Sequence, residues 1–138
     1  MNESFEQNNS LFKYPDVFAE KGELKRVSEE FGIGMSVLEY QAQNGNLVSL
    51  EQEIWDTLEN TDSSTIEFGN WNQVDDISSQ VDREWEDLKV KLERGKILEA
   101  PIVMKFGDHY HLVAGNTRLM VSKAMGITPK VLLFEIDA

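Results

Sequence analysis

The sequence predicts an α+β fold, in which a mostly helical, acidic first half packs on a small sheet built by the second half. Three observations predict it. Residues 101–106 and 109–114 both alternate and are rich in strand formers; only Gly107-Asp108 separates them, the spacing of a two-residue hairpin. Residues 130–136 form a nearly all-apolar run that reads as a buried strand. Apolar residues at helical spacing mark much of the rest. With 138 residues and 41% apolar content, the chain can bury one modest core.

Residues 1–10 are polar and read as a frayed end. A helix is expected from about 15 to 31, carried by Val17, Phe18, Leu24, Val27 and Phe31, weakened by Gly22 and broken by Gly32-Ile33-Gly34. A second runs from 35 to 44. The two helices around a glycine turn superficially resemble a DNA-reading helix-turn-helix, but the second helix offers Glu39 and no basic residue for phosphate contacts. Residues 47–59 read as an amphipathic helix with Leu47, Leu50, Ile54, Trp55 and Leu58 inward, and Ser49 with Gln52 as a capping box. Residues 60–64 are a turn cluster, and 65–77 are poorly periodic, with Ile66, Phe68, Trp71, Val74 and Ile77 as anchors.

The next helix is capped by residues 79–82, buries Val81, Trp85, Leu88 and Leu92, gains an Asp87–Lys91 pair and ends at Gly95. In the hairpin, pairing Phe106 with His109 puts Ile102, Met104, Phe106, His109, His111 and Val113 on one face. Val103, Lys105, Tyr110, Leu112 and Ala114 take the other. Gly115 then turns the chain, Asn116 caps a helix over 117–125 with Met120, Val121, Ala124 and Met125 inward, and Gly126 stops it. Trp55, Trp71 and Trp85 read as core. Residues 1–77 are thus an acidic helical segment and 78–138 an α/β module, the two forming one compact unit.

The net charge of −12 sits entirely in the middle: residues 27–82 hold twelve acidic side chains and no Lys or Arg. Such a block repels phosphate backbones and argues against unaided DNA binding. It either keeps the protein soluble or forms a negative surface for a basic partner protein. The face expected for that role is Glu51, Glu53, Asp56, Glu59 and Asp62, opposite Leu50, Ile54 and Leu58. Other carboxylates of the block are expected to pair with Arg83, Lys89, Lys91, Arg94 and Lys96. The absence of cysteine excludes disulfides, a thiolate nucleophile and thiolate zinc sites. No signal-peptide pattern and no apolar run of roughly 20 residues is present, so a soluble cytoplasmic protein without a membrane span is expected.

The candidate chemistry lies where the hairpin meets its following helix. A helix start presents N–H groups and a positive dipole end, an anion site. Arg118, in the first turn, sits against like partial charge and wants an anion. A phosphate would satisfy Arg118 and the hydroxyl of Thr117 together; one of the chain's own carboxylates would satisfy Arg118 alone. His109 and His111, two apart on one strand face, are half a metal site at most. Glu99 and Asp108 flank the hairpin as candidate general bases.

Residues 79–136 resemble the ParB/sulfiredoxin superfamily. The likeness rests on Ala100-Pro101-Ile102-Val103, then Tyr110-His111-Leu112-Val113-Ala114-Gly115-Asn116-Thr117-Arg118-Leu119, then Gly126-Ile127-Thr128-Pro129-Lys130-Val131. It implies a mixed sheet and a phosphate-binding role for Gly115, Asn116, Thr117 and Arg118. The ligand it implies is a nucleotide with Mg, and the activity a phosphotransferase or NTP hydrolase. The chain departs from the family where sulfiredoxins carry cysteine and histidine in the loop: here stand Asn116 and Thr117. The second, upstream basic motif of the family would fall in the block without Lys or Arg. The alternative expectation is a non-enzymatic protein that keeps the fold and uses its acidic surface, even as a DNA mimic, like accessory proteins of phages and mobile elements.

Overall fold

The computed structural model describes residues 12–79 and 85–137. The architecture is α+β. In chain order the strands are β1 (Phe12–Lys13), β2 (Asn46–Ser49), β3 (Leu98–Glu99), β4 (Ile102–Phe106), β5 (His109–Ala114) and β6 (Lys130–Ile136). The helices are α1 (Lys21–Phe31), α2 (Met35–Gln43), α3 (Gln52–Thr57), α4 (Trp71–Ser79), α5 (Trp85–Glu93) and α6 (Asn116–Met125). Short 3-10 turns cover Val17–Glu20 and Ser63–Thr65.

The main sheet has the order β2-β6-β4-β5, and β1 pairs separately with β3 in parallel. β4 and β6 run parallel, while β2 and β5 are antiparallel to their neighbours. The hairpin forms in the expected register, with Phe106 opposite His109, and shifts by one residue at Ile102/Val103. Both hairpin faces are those the alternation sets. Ile102, Met104 and Val113 join Leu24, Val27, Leu38 and Ala42 in one core cluster with Leu132, Phe134 and Ile136. Val103 and Leu112 join Leu50, Trp55, Leu58, Leu119 and Val131 on the opposite face. β6 therefore alternates between two helical layers, which is why it is apolar at nearly every position. A third cluster, with Val74, Trp85, Leu92, Met120 and Val121, binds α4 and α5 to the outer side of α6.

The structure corrects several of the expected elements. The helix expected over 47–59 is instead strand β2 followed by the short α3. Leu47 and Val48 pair with Leu132 and Val131 of β6, and this pairing outweighs a local helical period. The Ser49–Gln52 capping box does not form: Glu51 is the N-cap, and Gln52 Nε2 donates to Asp56 Oδ1 at 2.7 Å. The aperiodic stretch 65–77 contains α4, whose start is held by Asn70 Oδ1 accepting from the Gln73 N–H at 3.1 Å. The first helix begins as a 3-10 turn capped by Asp16.

The 79–82 cap is replaced in part by α4, which extends to Ser79; residues 80–84, with Val81 and Arg83, lie outside the described residues, as do 1–11. The expected docking of the acidic block onto α5 is not what Lys89 and Lys91 do: they bridge to Glu93 and Asp87 of their own helix.

Candidate functional site

β5 ends at Ala114, and Gly115 reverses the chain into α6 with φ 108°. Only glycine fits there. A Cβ would lie 2.6 Å from Pro101 Cβ, and the backbone conformation is one L side chains rarely adopt. Gly115 is also the N-cap, so Asn116 is the first helical residue rather than the cap expected from its type.

Beside this turn a polar cavity of about 290 Å³ opens, lined by Glu23 and Arg26 of α1, Asn60, the end of β5, Gly115 and Asn116. Asn60 adopts a positive φ of 69°, which asparagine tolerates, and its Nδ2 donates to the Leu112 carbonyl at 3.0 Å. The Asn116 amide oxygen accepts from the Thr61 hydroxyl. Thr61 and Ser63 hydroxyls share a 2.7 Å bond, and Trp55 Nε1 donates to Ser63 Oγ at 2.8 Å. A partly buried polar chain thus fixes the Asn116 side chain in the cavity wall.

Arg26 is the cation of this cavity. Its Nε donates to Glu23 at 3.0 Å and its Nη1 to Glu30 at 3.1 Å. The same Nη1 lies 3.4 Å from His111 Nε2, so that nitrogen accepts and the imidazole proton sits on Nδ1. His111 is 4% exposed. Burial pushes its pKa below the ordinary value and Arg26 pushes the same way, against Glu30 and Glu59. Nδ1 faces Glu59 Oε1 at 4.0 Å, while Glu59 Oε2 meets His109 at 3.0 Å.

The predicted site residues divide accordingly. Gly115 and Asn116 line the cavity; Thr117 and Arg118 do not. Thr117 is buried, so its hydroxyl is not offered to a ligand. Arg118 takes the carboxylate alternative: Nη2 lies 3.5 Å from Glu20, and Nη1 donates to the Glu99 carbonyl at 2.5 Å. The Glu99 side chain accepts from the Asp16 N–H at 3.1 Å, a docking role rather than that of a base at the cavity. Asp108 is exposed at the hairpin turn, at the opposite end of β5 from Gly115.

His109 and His111 share Glu59. Among the described residues, no group of three or more His, Cys, Asp or Glu is arranged to hold a metal ion. Glu51, Glu53, Asp56, Glu59 and Asp62 are all exposed. Glu59, however, is bridged to β5 through its backbone, its N–H donating to the Tyr110 carbonyl at 2.8 Å. Arg26 was the residue missed. It stands one position before the block that lacks Lys and Arg, and its only signal was that it is the last upstream cation.

Among the described residues no helix is long and apolar enough to cross a membrane. Comparison with known proteins found no matching family model, no matching curated protein and no matching solved structure.

Proposed function

We propose that this chain binds a phosphate-bearing small ligand, a nucleotide in the reading that the ParB/sulfiredoxin resemblance suggests, between α1 and the start of α6. The observation that carries the proposal is Arg26 entering the same cavity as the Gly115-Asn116 turn. Arg26 already carries Glu23 and Glu30, so a phosphate there would compete with those carboxylates for the guanidinium while meeting the positive end of α6. The amides of Asn60 and Asn116 add directional donors. Gly115 brings backbone close to the ligand, and Arg118, neutralised by Glu20, braces the turn behind it.

Mg²⁺ would come with the phosphates, and among the described residues Glu23 is the acidic side chain lining the cavity that would meet it. For transfer or hydrolysis the carboxylate we would assign is Glu23, which lines the cavity, rather than Glu99 or Asp108.

Titration calorimetry against nucleoside mono-, di- and triphosphates, with and without Mg²⁺, tests the reading. Arg26→Ala should weaken binding about tenfold or more, the scale of a charged hydrogen bond, beyond the stability lost with its bonds to His111 and to the Leu112 and Val113 carbonyls. Arg118→Ala should instead lower stability by about 1–3 kcal/mol, because it strips a partner from the Glu99 carbonyl and leaves Glu20 unpaired. Wild-type protein that binds no nucleotide, or an Arg26→Ala variant that binds as well, overturns the proposal.

A further inference from the structure

A second depression, independent of the cavity above, lies between α3, the loop after Ile66 and the C-terminal end of α6. It measures about 460 Å³. Leu50, Trp55 and Ile127 give it apolar walls, Phe68 stands over it, and Glu51 and Lys123 supply charge.

Phe68 is 79% exposed, the most exposed large hydrophobic side chain among the described residues. Its loop is pinned: the Gly69 N–H donates to the Ala124 carbonyl at 2.8 Å, and Lys123 Nζ donates to the Ile66 and Ser64 carbonyls at 2.9 and 3.2 Å. The ring packs over Gly126, where a Cβ would come within 2.8 Å of Cε1. The exposed ring is therefore held out by ordered structure. An ordered apolar ring beside a groove is the form of an anchor site for another chain.

Charge decides the occupant. Lys123 is spent on carbonyls and on the face of Trp55, 5.9 Å from the ring centroid. Glu51 lines the groove and is exposed, and α3, which forms one wall, also carries exposed Glu53 and Asp56, within a block that holds no Lys or Arg. A second copy would bring the same carboxylates against themselves in a molecule of net charge −12. Nucleic acid and anionic membranes are repelled for the same reason.

We infer that the groove between α3 and Phe68 docks a basic segment of a partner protein, in which Lys or Arg alternates with an apolar residue. The apolar residue would fill the groove against Trp55 and Phe68, and the cations would meet the acidic rim.

The test is an amide-shift titration of the full chain with a short peptide alternating Lys and Leu. Two controls of equal length are oligolysine and a peptide alternating Glu and Leu. Shifts should cluster at residues 50–56, 66–69 and 123–128, and affinity should fall as salt rises. Phe68→Ala should weaken binding about tenfold, with the spectrum otherwise that of the folded protein. Glu51→Gln with Glu53→Gln should weaken it similarly at low salt and flatten its salt dependence. Oligolysine binding equally well would mean diffuse charge attraction, and overturns the inference. Equal binding of the acidic peptide, shifts clustered elsewhere, or no binding overturns it too.

Discussion

Arg26 and His111 are coupled through one hydrogen bond that exists only while the imidazole is neutral. Nε2 accepts from Nη1 at 3.4 Å, and Phe31 closes over the ring with centroids 4.9 Å apart, edge to face. Protonation would set an imidazolium against a guanidinium in a buried place. Burial, then Arg26, hold the folded pKa below 6.5. A base with a depressed folded pKa binds fewer protons folded than unfolded. Its stabilising contribution is therefore fully present above pH 6.5 and is lost as pH falls through the folded value. Urea midpoints of wild type and His111→Gln, followed downward from neutral pH, check this. Wild type should lose stability more steeply than the variant below 6.5. Parallel profiles would mean that the pair does not carry this coupling.

At the scale of elements, the turn from β5 into α6 is the strictest local requirement. Gly115→Ala places a Cβ 2.6 Å from Pro101 at φ 108°, and neither the proline ring nor the turn can yield cheaply. Backbone strain of this kind costs about 1–3 kcal/mol, and contact with Pro101 adds to it. Gly22→Ala is the opposite case. Gly22 lies in α1 with open space around it, so alanine should stabilise by roughly 0.5–1 kcal/mol through helix propensity and a less flexible unfolded chain. Urea denaturation of both variants separates the effects, and two changes of the same sign would contradict the assignment. The same scale explains the helix that did not form at its expected start. Leu47 and Leu50 are three apart, as on a helix face, but Leu47 to Val48 complete an edge of the sheet and only Gln52 onward is helical.

Across the whole molecule the charge is unbalanced in a way the ion pairs do little to offset. The side-chain pairs of Arg26, Lys89 and Lys91 are local i,i+3 or i,i+4 contacts with substantial exposure, a class worth little each. A net charge of −12 on 138 residues then leaves self-repulsion as the larger long-range effect. Screening should stabilise the fold: raising sodium chloride from about 0.05 to about 0.3 M should lift the thermal midpoint by about 2–4 °C. A falling midpoint would show that the pairs outweigh the repulsion. The helical layers on both faces of β6 give the molecule its stability, and Leu132, fully buried between β2 and β4, stands at their centre.

The sequence by itself determined the hairpin and its register, the helix that follows it, the buried last strand and the acidity of the middle. Each of these is set by near neighbours: a two-residue turn, a period of two, a glycine that must take positive φ, a run of carboxylates. Only the tertiary structure decided that residues 46–49 are a strand, because their partner is more than 80 positions away on β6. It also decided which arginine shares a cavity with the Gly115 turn. Gly115 and Asn116 were legible as a helix start, but the arginine that lines a cavity with them is Arg26, some 90 residues upstream on α1. Arg118, the nearer arginine, is drawn to Glu20 and the Glu99 carbonyl. Which of two arginines lines that cavity depends on how α1 packs against β5, and no local pattern in the chain encodes that packing.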